Sequence, residues 1–186
     1  MDSQPLESRS YQTAVVAIPP EEVWPTIQEI RSQYDTKFAR WMPHITLFYP
    51  FWPRTEWPKA IELFSAVCCK LRPFTISFSS LGKFSHGRDR YTLWLEPASD
   101  QNLEKLHATL ASMLPSEITQ NEHSRFIPHL SVGQVKGRKK MEDLRISLQR
   151  NWRPITFTLS HVSLLWRNDP PDDVFRVGET VALTKS

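Results

Sequence analysis

The chain has 186 residues, of which 40% are hydrophobic and 23% are charged, a composition that fits a globular domain and excludes a disordered chain. It contains only 5 glycines and neither G-x-x-x-x-G-K-[ST] nor G-x-G-x-x-G, which excludes these two glycine-rich phosphate-binding loops. The formal net charge of +3 permits an anionic partner without requiring one. No apolar run approaches the ~20 residues of a membrane span, and the N-terminus lacks the basic and apolar regions of a secretory signal.

Cysteine usage favours a reducing compartment. Cys68 and Cys69 are adjacent and cannot form an ordinary disulfide with each other. We therefore expect a cytoplasmic protein, with the nucleus as the other reducing location. Two cysteines without a C-x-x-C pair also disfavour a structural zinc site.

Hydrophobic periodicity predicts strands alternating with helices. Pro and acidic residues at 19–22, and Pro58, are typical of helix starts. The predicted order is a strand at 12–18, a helix from 19, a strand at 44–49, a helix from 58, strands at 74–79 and 91–95, a helix from about 99, a strand at 129–134, a helix around 141–148, and strands at 155–159 and 174–183. The order β-α-β-α-β thus occurs twice.

Two pairs of similar segments support a duplication. Residues 40–47 (RWMPHITL) match 125–132 (RFIPHLSV), and 72–78 (RPFTISF) match 153–159 (RPITFTL). We expect a single domain over 1–186, with an N-terminal lobe at about 11–88, a C-terminal lobe at about 89–184, some exchange of strands between lobes, and flexible residues 1–10.

The repeated segments carry candidate catalytic residues. On a strand, side chains at i and i+2 point to the same side, so His44 projects with Thr46 and His129 projects with Ser131. Two imidazoles can act as general acid and general base across one substrate atom. Two hydroxyls can donate hydrogen bonds to the oxygens of an anion between them. This chemistry suits a phosphodiester and requires neither a metal nor a covalent nucleophile.

A third segment fits the shorter pattern of His, apolar, hydroxyl and apolar residues. It is His161-Val162-Ser163-Leu164, and it lacks the preceding proline of the other two. We interpret His161 as a structural histidine of the core or of a strand, because the short pattern has little specificity.

The paired Pro-His-apolar-Thr/Ser-apolar segments resemble those of the 2H phosphoesterase superfamily, the 2′-5′ RNA ligase and 2′,3′-cyclic phosphodiesterase-like proteins. The resemblance covers most of the chain. It implies a bilobal α+β fold with pseudo-twofold duplicated units, two antiparallel sheets facing a central cleft, helices outside, and no metal or other cofactor. It also implies that His129 activates water and that His44 protonates the departing 3′ oxygen, while Thr46 and Ser131 hold the phosphate. Relatives often carry a basic residue soon after the second motif, where this chain has Gln134.

Six further residues are candidates for substrate binding. Two arginines precede the motifs, one arginine lies in the basic cluster at 136–140, and three aromatic residues lie near strand ends, where one of them can stack on a base. They are Arg40, Arg125, Arg138, Tyr49, Phe84 and Trp166.

We expect a metal-independent phosphoesterase that acts on RNA ends or small nucleotides and opens 2′,3′-cyclic phosphates to 2′-phosphates. We also expect it to be a monomer that does not bind membranes. The same site also suits a 2′-5′ phosphodiesterase or RNA ligase, or a 3′-end exonuclease. An RNA- or nucleotide-binding module with little turnover is a further alternative, disfavoured because Arg or Lys would serve phosphate binding as well as paired histidines. A mononuclear metal site lacks an evident third ligand.

Overall fold

The computed structural model describes residues 9–99, 101–119 and 125–185. Residues 1–10 were predicted to be flexible, and residues 1–8 of that segment lie outside the described residues. The strands are β1 (Thr13–Ala17), β2 (Ile45–Phe48), β3 (Phe74–Ser85), β4 (Arg90–Pro97), β5 (Leu130–Lys136), β6 (Ile155–Leu159), β7 (His161–Trp166) and β8 (Arg176–Ala182). The α-helices are α1 (Trp24–Tyr34), α2 (Trp57–Cys68), α3 (Gln101–Ala111), α4 (Ser116–Thr119) and α5 (Arg138–Asn151).

The strands form two four-stranded antiparallel sheets. The strand order is β2-β1-β7-β8 in the first sheet and β5-β4-β3-β6 in the second. The two orders match under a pseudo-twofold relation in which β1 corresponds to β4, β2 to β5 and β7 to β3. The prediction of a duplicated α+β fold with two antiparallel sheets is confirmed.

The sheets do not follow the division of the chain at residue 88. Strand β3, from the first half, joins β4, β5 and β6, whereas β7 and β8 return to the sheet of β1 and β2. The exchange of strands therefore involves one strand of the first half and two of the second.

One strand was missed and another was predicted too short. Strand β7 was not predicted, because the run from Val162 to Leu165 is buried throughout and lacks the alternation of a half-buried strand. Strand β3 continues to Ser85 rather than ending at 79, since Gly82 and Lys83 weaken its pattern. Helix α1 follows a short 3-10 turn and therefore begins later than its proline signal at 19–20, whereas α2 begins at Trp57, one residue before Pro58.

A continuous hydrophobic core joins the helices to one side of both sheets. It includes Val15 of β1, Leu93 of β4, Ile27 of α1 and Leu106 of α3, all at most 1% exposed. Burying a side chain of this size contributes about 1.5–3 kcal/mol. This helix-facing side leaves the opposite side of each sheet for the site, and we call that opposite side the cleft face.

Helix α1 and strand β2 both pack against β5 and so join the two sheets. Gly133 of β5 allows the close approach of α1, because a Cβ at this position would lie 2.7 Å from the Cβ of Tyr34. Strands β2 and β5 are edge strands of their own sheets, and this seam places them beside each other. None of the described helices has the length and apolar character needed to cross a membrane.

Candidate active site

His44 directly precedes β2 and is fixed through one ring nitrogen. Its Nδ1 lies 2.7 Å from the carbonyl oxygen of Met42. A carbonyl can only accept, so Nδ1 carries the proton and Nε2 is left for chemistry. Pro43 stands between the two residues, and a proline disfavours the helical conformation in the residue before it, here Met42.

His129 repeats the arrangement immediately before β5. Its Nδ1 lies 2.8 Å from the carbonyl oxygen of Ile127, with Pro128 between the two residues. The apolar-Pro-His order of both motifs therefore has a local structural reason, since the residue before the proline supplies the acceptor that orients the ring.

The two hydroxyl residues lie on the same sides of their strands as the histidines. Thr46 of β2 is half-buried and pairs with Val16 of β1. Ser131 of β5 is half-buried and pairs with Trp94 of β4. The structure thus places one imidazole and one hydroxyl on each of two adjoining edge strands. The positive charge of His129 contributes to lowering the pKa of His44, so the two rings lie within electrostatic range of each other.

His44 lies in an aromatic stack. Its ring stacks on Trp41 with centroids 4.5 Å apart, and the other face of Trp41 stacks on Phe175. The Arg31 guanidinium donates to the carbonyl of Trp41 at 2.8 Å and to the Asp35 carboxylate at 2.8 Å, which braces the stack from α1.

The buried surroundings of His44 shift its titration. Burial lowers the pKa of His44 to about 4, and the charges of Arg31 and His129 act in the same direction. The hydrogen bond to Met42 and the charge of Asp35 oppose this shift without cancelling it. His44 is therefore neutral at neutral pH in the free protein.

His129 has a different aromatic environment. Phe84 and Trp94 present their rings edge to face, with centroids 4.9 and 5.8 Å from the imidazole. Burial lowers the pKa of His129 below its usual value of 6.5, and the hydrogen bond to Ile127 opposes the shift. The two histidines thus share their hydrogen-bond arrangement but differ in their packing.

Two of the candidate substrate-binding residues, Arg40 and Arg125, lie in ion pairs. Arg40 pairs with Asp173, and Arg125 donates to Glu104 at 2.6 Å. A phosphate would have to compete with a carboxylate for each of them.

Of the aromatic candidates, Phe84 contacts His129 directly. Tyr49 packs edge to face against Trp41 and Phe175, and its hydroxyl donates to the carbonyl of Tyr11 at 3.3 Å. Phe84 therefore lies beside the candidate residue His129, and Tyr49 packs against the stack that contains His44.

The structure separates Trp166 and Arg138 from the site. Trp166 pairs with Thr13 and shares the helix-facing side of its sheet, between the guanidinium groups of Arg54 and Arg176. Arg138 begins α5 beyond the far end of β5, so about 20 Å of strand lies between it and His129. Both were placed near the site because sequence position alone does not show which side, or which end, of a strand faces the cleft.

Gln134 has a structural partner. Its Oε1 accepts hydrogen bonds from the backbone N–H and the hydroxyl of Thr36, at 2.8 and 2.7 Å. It therefore fastens the turn after α1 to β5.

Trp41 and Trp94 lie beside the candidate residues, and the sequence did not identify them as parts of the site. In the repeat, Trp41 matches Phe126, yet Phe126 stacks on His107 instead of His129. The duplication therefore predicts the histidine positions but not their aromatic neighbours.

Over residues 9–99, 101–119 and 125–185, no three or more His, Cys, Asp or Glu side chains come together in a group that could hold a metal ion.

Comparisons with known proteins give one family and one fold. A family model described as the 2′-5′ RNA ligase superfamily matches residues 19–171. A "putative phosphoesterase" of Bacillus cereus strain B4264 is 29% identical over 140 residues, which cover 69% of this chain and 78% of that protein. Among solved structures, Escherichia coli LigT in complex with 3′-AMP is similar with a TM-score of 0.65 and 16% identity, over 94% of this chain and 99% of that one. TT0787 of Thermus thermophilus gives a TM-score of 0.64 and 17% identity, over 94% and 98% of the two chains.

Proposed function

Because the chain belongs to the 2′-5′ RNA ligase superfamily, and therefore to the phosphoesterases of 2H type, we propose that it hydrolyses 2′,3′-cyclic phosphates of RNA ends or nucleotides. The observation that carries this proposal is the matched pair of imidazoles at the seam. In each histidine a backbone carbonyl fixes Nδ1, and Nε2 is left for the substrate. His44 precedes Thr46 on β2, His129 precedes Ser131 on β5, and these two edge strands lie beside each other. The complex of LigT with 3′-AMP supports a ligand that carries phosphate on its ribose.

The reaction needs one proton acceptor and one proton donor. His129 Nε2 takes a proton from water as the water oxygen forms its bond to phosphorus. The bond between phosphorus and the 3′ oxygen breaks, and His44 Nε2–H gives its proton to that oxygen, which leaves a 2′-phosphate. Thr46 and Ser131 donate hydrogen bonds to the non-bridging oxygens as negative charge builds on them.

These roles place a demand on His44. A general acid must carry a proton, whereas burial lowers the pKa of His44 to about 4 in the free protein. A phosphodiester anion bound between the two rings raises the pKa of both, because it favours their charged forms. In this proposal the substrate therefore supplies the charge that makes His44 an effective acid.

Leaving-group dependence separates the two roles. With a p-nitrophenyl ester of a nucleoside 5′-phosphate, departure needs no proton, whereas the methyl ester requires one. If the enzyme cleaves such linear diesters, His44→Ala should lose much less activity on the p-nitrophenyl ester than on the methyl ester. His129→Ala should lose the same fraction of activity on both esters. The opposite pattern would make His129 the general acid and His44 the general base.

Alanine substitution tests the assignment of the site. His44→Ala and His129→Ala should each lower the rate of cyclic-phosphate hydrolysis by ~10²–10⁴, the usual contribution of one acid or base. Thr46→Ala and Ser131→Ala should cost about 10–10³, because each removes a hydrogen bond and not the proton transfer. The double histidine variant should lose less than the product of the two single losses, since the rings act as a unit.

His86→Ala is the matched control. His86 is exposed, bonds to the hydroxyl of Thr92, and lies at the tip of the β3–β4 hairpin. Its loss should leave the rate nearly intact. A motif histidine that proves as dispensable as His86 would refute the site.

Cleavage of 2′-5′ linkages and trimming of 3′ ends use the same groups, so substrates for each belong in the same assay.

A further inference from the structure

The cleft face of the first sheet carries a row of residues that continues from the candidate site. Thr46 of β2 pairs with Val16 of β1, Val16 pairs with Ser163 of β7, and Ser163 pairs with Thr180 of β8. Residues opposite each other in antiparallel strands point to the same side of a sheet. Ser163 therefore shares the cleft face with Thr46, about 10 Å away across two strand spacings.

The hydroxyl of Ser163 is buried without a hydrogen-bond partner. Ser163 is 1% exposed, and its Oγ is one of three buried side-chain polar atoms without a partner in the part of the chain that the structure describes. Buried hydroxyls in folded proteins are nearly always paired, because desolvating one without compensation is unfavourable. An unpaired hydroxyl on a cleft face is able to take a hydrogen bond from, or give one to, a bound molecule.

Ser163 is one of the residues that line a cavity of about 270 Å³ on this sheet. The volume lies just below the ~300–1,000 Å³ of pockets for drug-sized molecules, so it suits a smaller ring. The lining residues are apolar in part and hydrogen-bonding in part, and they include Ile18, Trp24, Met42, His161, Ser163 and Thr180. Trp24 already donates its Nε1–H to the carbonyl of Pro19, which leaves its ring for apolar contact.

The charges around the cavity exclude a phosphate as its occupant. None of the described residues that line it is Lys or Arg, and its one charged group is the Glu21 carboxylate. A dianion would be repelled there, whereas an uncharged flat ring with donor and acceptor groups would find apolar walls and the unpaired hydroxyl of Ser163. A nucleobase has this chemistry.

The cavity distinguishes the two halves of the duplicated fold. In the second sheet, Trp94 occupies the place that Val16 has in the first, and Gly82 occupies the place of Ser163. The Trp94 ring covers Gly82, since a Cβ there would lie 2.5 Å from that ring. In the first sheet the Val16 side chain carries no ring that could cover Ser163, and Ser163 lines the cavity.

The cavity also adjoins the catalytic histidine. Met42 lines the cavity, and its carbonyl holds Nδ1 of His44. We propose that this cavity binds the nucleobase of the substrate whose phosphate lies between His44 and His129, with Ser163 as a hydrogen-bonding contact to the base. This inference rests on the proposed function, and it assigns the His161-Val162-Ser163 segment to substrate binding rather than to strand packing alone.

The test compares two substrates that differ only in the base. Nucleoside 2′,3′-cyclic phosphates carry the base, whereas 1-O-methylribose 2′,3′-cyclic phosphate lacks it. Ser163→Ala should lower kcat/KM for at least one of the four nucleoside substrates by about 3–20-fold, the usual effect of one hydrogen bond, mainly through KM. The same change should leave the methylribose substrate unaffected.

A second variant fills the cavity, and a third serves as control. Ser163→Leu should lower kcat/KM further, again only for the nucleoside substrates, because its side chain occupies the position of the base. Ser32→Ala removes an exposed hydroxyl on α1 that bonds to the carbonyl of Glu29, and it should change neither substrate. Melting curves verify that each variant is folded. Equal losses on both substrates, or no loss on any nucleoside, would overturn the base-binding role.

Failure of the proposed function gives a different result. If the wild-type protein turns over none of these cyclic phosphates, base binding is measured by NMR titration with the four free nucleosides. Shifts of Ser163 and its neighbours in the wild-type protein that disappear in Ser163→Leu would support the cavity independently of hydrolysis. Absence of such shifts would mean that the cavity holds water only, and the inference would be wrong.

Discussion

The imidazole of His44 stacks on Trp41 and donates Nδ1–H to the carbonyl of Met42, so only Nε2 is left to exchange protons with a substrate. Burial lowers the pKa of this ring to about 4, and it lowers the pKa of His129 below 6.5. At neutral pH both rings are therefore neutral in the free protein. Acid–base catalysis requires that one of the two rings carries an additional proton and is positively charged.

The pH dependence of the rate follows from these two pKa values. A base works above its pKa and an acid works below its pKa, so kcat/KM should be bell-shaped, with its maximum between about pH 4 and pH 6.5. The two limbs belong to the coupled pair and not to single residues. Initial rates on a cyclic phosphate, which has no titration of its own in this range, measure the profile. A maximum above pH 7.5 would contradict the burial effect.

The pH dependence of stability gives a second prediction for His44. In the unfolded chain the ring binds a proton below about pH 6.5, whereas in the folded protein it does so only near pH 4. Protonation therefore favours unfolding, and stability is lost as the pH falls from 6.5 to 4. The loss from this group reaches at most about 3 kcal/mol.

Urea unfolding at pH 7 and pH 4.5 measures this effect. The free energy of unfolding should fall less in His44→Gln than in the wild-type protein, by about 1–3 kcal/mol. His86→Gln, which changes an exposed histidine, should keep the wild-type dependence. Identical pH dependence in all three proteins would show that His44 titrates normally in the folded state.

Among the elements, strands β3 and β8 offer a matched pair of glycines. A Cβ at Gly82 would lie 2.5 Å from the ring of Trp94, on the cleft face beside His129. A Cβ at Gly178 would lie 2.5 Å from the ring of Trp57, on the helix-facing side. Overpacking of this kind typically costs about 1–3 kcal/mol of stability.

The two substitutions should differ in activity. Gly82→Ala displaces the indole that contacts His129, so it should reduce both stability and kcat. Gly178→Ala should reduce stability by a similar amount and leave the activity of the folded protein unchanged. Melting temperature and kcat, measured on the same preparations, make the comparison. Equal kcat in the two variants would mean that Trp94 does not position His129.

The sequence predicted some elements better than others, for physical reasons. Strands β2 and β5 carry a local signal, because a proline before each histidine fixes the backbone that enters the strand. Strand β7 carries none, since a strand buried on both sides loses the alternation that distinguishes it. The prediction of the four motif residues needed only local spacing, whereas Trp41 and Trp94 join the site through contacts between elements.

At the scale of the whole molecule, the duplication brings the two motifs together. Each motif lies on an edge strand of its own sheet, and α1 packs on β5 across the gap between the sheets. Sequence repeats predicted the two units, but the placement of β3 and β7 in opposite sheets depends on pairing between distant strands. The halves have also diverged, with a tryptophan on the cleft face of one and an open cavity in the other.

The most direct test of metal-independent hydrolysis by the histidine pair is ³¹P NMR of a nucleoside 2′,3′-cyclic phosphate incubated with the purified protein in excess chelator. The account predicts that the cyclic phosphate signal is replaced by that of a 2′-phosphate, at the same rate with and without chelator, and that His44→Ala and His129→Ala abolish most of this conversion. Failure of the wild-type protein to open any of the four nucleoside cyclic phosphates, or loss of activity in chelator that added zinc or manganese restores, would contradict it.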